Sequence, residues 1–247
     1  MKKYYLPDGL RVYAIGDVHG HLDALKQMHE LISQDLLKGA PDSVHIVYLG
    51  DYIDRGPDSR GVIDYLMERR DRGDGIAKSF IKGNHETALF EFMKSPLSHD
   101  WLRYGGIETL ASYGVKFEQD VPLPAEKERA AELMRTAIPA EHFEFFEALE
   151  LSVGLGDYLF AHAGIDPYKL LDQQTEKDFT RIREPFLSWH LREDYEPLDM
   201  KVVHGHSLYP EPEDQPHRVS VDTGRYEGGP LTAAVIEADQ VRFLQVD

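Results

Sequence analysis

Five short motifs in this sequence each follow an apolar stretch and carry polar side chains beside a glycine. They are Gly16-Asp17-Val18-His19-Gly20, Gly50-Asp51-Tyr52-Ile53-Asp54-Arg55-Gly56, Gly83-Asn84-His85-Glu86, Ala161-His162-Ala163-Gly164 and Val203-His204-Gly205-His206. Singly, each has an ordinary structural explanation: a strand-end turn, a loop with a surface ion pair, a helix N-cap, a packed core histidine, a polar strand end. Together they place Asp17, His19, Asp51, Asn84, His162 and His206 at the ends of separate strands. Carboxylate, imidazole and amide carbonyl form a ligand set for two first-row divalent ions, with a carboxylate such as Asp51 able to bridge them. Asn84 is the only asparagine in the chain, and there is no cysteine. Disulfides, thiolate zinc sites, iron–sulfur clusters and a cysteine nucleophile are therefore excluded, and any metal must bind nitrogen and oxygen.

Such a site has a definite chemistry. Two divalent ions roughly 3.5–4 Å apart would turn a bridging water into hydroxide and hold phosphate oxygens in line for attack, with no covalent phosphoenzyme. A serine alkoxide leaves poorly, so it must be protonated as it departs. His85, beside Asn84, is the expected general acid, and Asp54 is expected to orient its imidazole and hold it cationic. Arg55, with one arginine of the Arg181/Arg183 pair, would fork onto the remaining phosphate oxygens. His21, His29, His45, His99, His142, His190 and His217 sit in no ligand-like context and read as surface or packing residues. Gly73-Asp74-Gly75-Ile76-Ala77-Lys78-Ser79 superficially matches a phosphate-binding loop, but it lacks the glycine before lysine and precedes a strand instead of a helix.

The elements that must position these residues are legible as periodicity. Leu10 to Ile15 is a short, mostly apolar run, followed by Leu22, Leu25, Met28, Leu31, Ile32 and Leu36 at helical spacing. The unit repeats with Val44 to Leu49 before a helix near Ser59 to Arg70, and with Ile76 to Ile81 before a helix from about Glu86. Three strands that each close on glycine plus a polar residue predict βαβ units whose loops gather at one edge of a parallel sheet. Residues 98–150 carry helical periodicity broken at Pro122, Pro124 and Pro139, a helical insertion or cap. Strand candidates return at Tyr158 to Ala161, Lys201 to Val203, Val219 to Val221, Leu231 to Ile236 and Val241 to Val246, implying a second, mixed or antiparallel sheet.

The 247 residues are 42% hydrophobic and 29% charged, which excludes collagen-like and disordered classes and predicts a single α/β domain over 1–247. With 44 acidic residues against 27 basic ones, the net charge of −17 repels nucleic acid and anionic membrane surfaces. The basic start leads into no apolar signal region, and nowhere do 18 apolar residues run together; a soluble cytoplasmic protein is the expectation. The oligomeric state is left open.

In this order the five motifs resemble the phosphoprotein phosphatase branch of the calcineurin-like metallophosphoesterases. Trp101 to Leu110, Arg181-Ile182-Arg183-Glu184 and Val221-Asp222-Thr223-Gly224 are similar to segments of the bacterial serine/threonine phosphatases of that branch, so the resemblance covers about residues 11 to 237. It implies a four-layer αββα sandwich of two mixed sheets with the dimetal site at the strand ends. One metal would be held by Asp17, His19 and Asp51, and a second by Asp51, Asn84, His162 and His206, with His204 not a ligand. Manganese is the implied activator, with iron or zinc fitting the same ligands. Arg183 occupies the position of the family's phosphate-binding arginine, and Arg181 stands where many bacterial protein phosphatases carry tryptophan.

The leading expectation is a dimetal phosphomonoesterase acting on phosphoserine or phosphothreonine in proteins, with small phosphoesters as further substrates. The nearest rival is a symmetrical dinucleoside tetraphosphate hydrolase, whose bacterial members show a segment like Phe179-Thr180-Arg181-Ile182-Arg183. Against it, those enzymes commonly lack the acid at the position of Asp54 and have aspartate where Glu86 stands. An inactive phosphopeptide-binding scaffold is less favoured, because every expected ligand and the acid pair are present.

Overall fold

The computed structural model describes residues 2–116 and 123–247; Pro122, one of the expected helix breaks, lies outside the described residues. In chain order Leu10–Ile15 forms β1, Leu22–Leu36 α1, Ser43–Tyr48 β2, Ser59–Asp71 α2, Ala77–Phe80 β3 and Asn84–Lys94 α3. Each helix follows from its sequence. Leu25, Met28 and Ile32 bury one stripe of α1, and the Asp58 carboxylate caps α2 by accepting the Gly61 N–H at 2.9 Å. The 73–79 segment is a loop entering β3, and the Lys78 ammonium sits 2.7 Å from Asp74.

Gly106–Ser112 (α4), Pro124–Ala137 (α5) and Ala140–Glu147 (α6) follow; Pro124 opens α5 and Pro139 precedes α6, as proline's fixed φ favours. Ser152–Leu155 (β4), Tyr158–Ala161 (β5), Glu176–Arg181 (α7), Lys201–His204 (β6), Glu213–Asp214 (β7), Arg218–Ser220 (β8), Leu231–Glu237 (β9) and Gln240–Val246 (β10) complete the elements. The first sheet has the order β10-β9-β1-β2-β3 and the second β4-β5-β6-β8-β7. In the first, β1, β2 and β3 are parallel and β9 runs antiparallel to β1.

One expectation needs correction. The last two strands belong to the first sheet, not the second, and make it mixed. The reason is burial on both faces: Leu231, Ala233 and Val235 meet the helical layer, whereas Ala234 and Ile236 meet the opposing sheet. A strand that is apolar on both sides fits an interior position, and the free edge of β1 offers one.

The two sheets share a core of Val12, Ala14, Val47, Leu49 and Ile236 from one side and Tyr158, Phe160, Val203 and Val219 from the other. Helices cover the outer face of the first sheet, where Leu25 and Met28 of α1, Val62 and Leu66 of α2, Leu89 of α3 and Phe145 of α6 enter one apolar cluster. The outer face of the second sheet carries a thinner layer in which Phe179 and Phe186 cover Leu159, Ala161 and Val202. This is the four-layer αββα arrangement with two mixed sheets. Most of the described part of the 98–150 segment is part of the helical layer; among the described residues only its start, Trp101 and Tyr104, lines the cleft described next. No described helix is long and apolar enough to cross a membrane.

Candidate metal centre and phosphate cleft

The turns that follow β1, β2, β3, β5 and β6 converge. Among the described residues six non-glycine positions have positive φ, and five of them are His19, Asp51, Asp54, Arg55 and His206. A left-handed backbone at bulky or branched residues is costly, and it persists where surrounding structure over-determines it, as at functional sites. Two glycines explain how close the turns come. A Cβ at Gly83 would overlap Asp51 Oδ1, and one at Gly205 would overlap Asp17 Oδ1.

Asp17, His19, Asp51, Asn84, His85 and His206 line one cleft of about 300 Å³, together with Arg55, Arg181 and Arg183. His162 lies fully buried behind them, its Nε2 3.0 Å from Asn84 Oδ1 and 3.3 Å from Asp51 Oδ2. Two groups of potential donor atoms lie within 4.8 Å of one another: His19, Asp51 and His85, and Asp51, His162 and His206. Asp51 belongs to both. The first group holds His85 where the expectation places Asp17; Asp17 accepts the His206 N–H at 3.1–3.2 Å.

The donor set fits cations on two further observations. His19 Nδ1 is 2.9 Å from the Ile53 carbonyl, which as an N–H donor leaves its Nε2 lone pair facing Asp51; His162 Nδ1 is 2.8 Å from the Leu49 carbonyl, and although burial opposes its charge the Asp51 carboxylate raises its pKa to about 10, so an ion there would take the place of its Nε2 proton. Asp17 and Asp51 are buried carboxylates, and among the described residues no lysine or arginine pairs with either. Burial and the neighbouring Asp222 charge drive the Asp17 carboxyl well above its ordinary range. Burial opposes ionisation of Asp51 too, but the His162 and His85 imidazoles hold it well below that range. Burial keeps His19 neutral, lowered to about 3, and His206 neutral, lowered to about 2, the form in which imidazole ligates metal.

His85 differs from the other imidazoles. Its Nδ1 lies 2.6 Å from Asp54 Oδ2 and its Nε2 faces the cleft 3.8 Å from Asp51 Oδ2. Burial works against its charge, yet the Asp51 charge and the Asp54 hydrogen bond carry its pKa above 6.5. Asp54 is itself held by Trp101 Nε1 and Thr109 Oγ1, each donating at 2.6 Å. The Arg55 guanidinium stacks 3.7 Å over the Tyr226 ring. Arg183 reaches Ser207 Oγ at 3.4 Å beside His206, and Arg181 lies 3.6 Å from Glu91. His204 belongs to neither donor group; its buried ring packs against Phe186.

Several residues that shape this site have no role legible in the motifs, although Glu86 ends one of them and Trp101 and Thr109 lie in the Trp101–Leu110 segment. Glu86, fully buried, accepts the N–H groups of Asp51 at 3.0 Å, Tyr52 at 2.8 Å and Gly83 at 2.9 Å, tying two ligand-bearing turns together. Trp101 and Thr109 reach Asp54 across about fifty residues of chain, and Asp222 and Tyr226 close the cleft. The Val221-Asp222-Thr223-Gly224 pattern was a signal for Asp222; nothing local marks Tyr226.

With the fold and this donor cluster in hand, comparison with known proteins gives the class: the chain belongs to the calcineurin-like phosphoesterase family, whose model matches residues 10–242. It is 25% identical over 243 residues to the asymmetrical bis(5′-nucleosyl)-tetraphosphatase PrpE of Oceanobacillus iheyensis, covering 91% of this chain and 88% of that protein. A zinc-dependent endopolyphosphatase of Saccharomyces cerevisiae is 31% identical over 161 residues, covering 62% of this chain and 46% of the yeast protein. A solved structure described as a candidate diadenosine tetraphosphatase superposes with a TM-score of 0.64 at 22% identity, covering 95% of this chain and 93% of that one. The tetraphosphatase likeness thus runs to the asymmetrical type, where the sequence expectation weighed the symmetrical one.

Proposed function

We propose that this protein is a metal-dependent hydrolase of dinucleoside tetraphosphates that cleaves them asymmetrically, into a nucleoside monophosphate and a nucleoside triphosphate. The observation that carries this is the trio of arginines, Arg55, Arg181 and Arg183, on one cleft with the donor cluster. A lone phosphomonoester needs fewer cations, whereas a phosphate chain uses them all. The likeness to PrpE along nine-tenths of the chain supports the same reading.

The residues expected to hold one divalent ion are Asp17, His19 and Asp51, and those for the second are Asp51, Asn84, His162 and His206. When bound, such ions supply Lewis acidity toward phosphate oxygens and acidify the attacking water. The chain's own groups do the rest. Arg55, stacked on Tyr226, and Arg183 orient the phosphate; His85, its Nδ1 held by Asp54, donates its Nε2 proton to the departing oxygen.

That acid pair also favours a second reading, a phosphoserine or phosphothreonine phosphatase, because an alkoxide needs the proton more than a polyphosphate does. Separating products after incubation with diadenosine tetraphosphate tests the first reading: AMP and ATP in equal amounts support it, and ADP alone contradicts it. Chelator-stripped protein is expected to be inactive and to regain cleavage with manganese more than with magnesium, since imidazole suits the transition metal better.

A further inference from the structure

We infer that the catalytic cleft continues into a second groove that binds the phosphate chain beyond the scissile phosphate, with Lys177 and Arg181 as its anion-binding side chains. A groove of about 530 Å³ lies on the second sheet's side of the molecule, and Arg181 and Arg183 line both it and the metal-site cleft. With two guanidinium groups lining both concavities, a phosphate chain leaving the cleft on that side would meet the groove. Lys177 stands four residues before Arg181 on α7, so the two side chains share a helix face about 6 Å apart along its axis.

The groove also contains acids, and they are already committed. Lys169 lies 2.7 Å from Asp178 and 3.5 Å from Asp166, one cation shared by two carboxylates, and Asp178 also accepts the Thr175 N–H and O–H at 2.8 Å. Glu184 accepts a hydrogen bond from Ser188. Arg181 has a single long pairing, 3.6 Å to Glu91, with both side chains about two-fifths exposed, which a phosphate oxygen can displace. Lys177 is exposed and makes no ion pair among the described residues. In a chain of net charge −17, these available cations beside a phosphate cleft mark the direction a polyanionic substrate takes. A phosphomonoester would fill only the cleft; a tri- or tetraphosphate would extend toward Lys177.

The inference rests on the proposed substrate class, but its test is separate from cleavage. Manganese-loaded protein is titrated calorimetrically with orthophosphate and with inorganic tripolyphosphate at fixed free manganese, for the native chain and for Lys177→Glu. Tripolyphosphate is expected to bind the native protein at least about tenfold more tightly than orthophosphate, and the substitution to cut that preference about fivefold while leaving orthophosphate affinity in place. Lys177→Ala, which adds no charge, is expected to move the preference in the same direction by a smaller factor. Equal affinity for the two anions in the native protein, or an unchanged preference in both variants, overturns the groove assignment. A protein that shows the chain-length preference but does not split diadenosine tetraphosphate sinks the substrate reading and leaves the groove standing.

Discussion

His85 is where substrate class and mechanism meet, because the value of its proton depends on the oxygen that leaves. The His85→Asn variant is expected to retain its metals and to lose about 10²–10⁴-fold in kcat on a phosphoserine peptide, but far less on p-nitrophenyl phosphate. Equal losses on both substrates, or loss of metal, would show that the imidazole is a ligand, a reading its place in a donor group with His19 and Asp51 makes worth testing. The arginines divide in the same way. Arg183 sits beside His206 with only long hydrogen bonds to Ser207 Oγ and the His206 carbonyl, whereas Arg181 leans on Glu91. For p-nitrophenyl phosphate, Arg183→Ala should therefore lower kcat/KM more than Arg181→Ala, and the reverse order would move the phosphate clamp to Arg181. That the six expected residues gather at one place is readable from sequence because short polar motifs ending apolar runs put them at strand ends. The left-handed backbones of His19, Asp51 and His206 and the hydrogen bonds to the histidine rings are not, since these depend on contacts between turns.

At the scale of elements, β1, β2 and β3 with their helices are legible because strands buried on both faces leave apolar runs that stop at glycine. The sheet to which β9 and β10 belong is not written in periodicity: an apolar strand fits either sheet equally well, and only the open edge of β1 decides. The two-residue β7 carries no pattern to read. Glu86 looks like a helix N-terminal acid at the start of α3, which it is, but its carboxylate also holds the amides of the β2 turn 34 and 35 residues earlier. Glu86→Ala leaves three buried N–H groups without their acceptor. The expected result is a stability loss on the order of 3 kcal/mol and about 10- to 100-fold weaker metal binding, measured by denaturant unfolding and metal titration. Native metal affinity in this variant would show that the turns hold their shape without it.

The whole molecule has a built-in sensitivity to acid that lies away from the metal centre. His29 is buried between the Tyr65 and Tyr48 hydroxyls at 2.8 and 2.9 Å, and burial lowers its pKa to about 3. His217, bonded to the Phe186 carbonyl beneath the second sheet, is likewise lowered by burial, to about 4. In the unfolded chain both take a proton near pH 6.5, whereas the folded protein leaves them neutral, so the unfolded state binds more protons between about pH 6.5 and 4. Stability is therefore full above that window and lost as pH falls through it, by on the order of 2 kcal/mol for each histidine at pH 5. Denaturant midpoints at pH 7.5 and pH 5 should show the drop, and His29→Gln should shrink it; a midpoint independent of pH would mean that these rings are hydrated.

The substrate itself provides the most direct test of the account. Manganese-reconstituted protein is assayed under one set of conditions with diadenosine tetraphosphate and with a phosphoserine peptide, and kcat/KM is compared. The expected result is a value for the dinucleotide at least about tenfold above that for the peptide, as three arginines on the cleft and cations beyond it favour a phosphate chain. A peptide cleaved as fast as the dinucleotide, or faster, contradicts the proposed function and assigns the His85–Asp54 pair to a protein phosphatase.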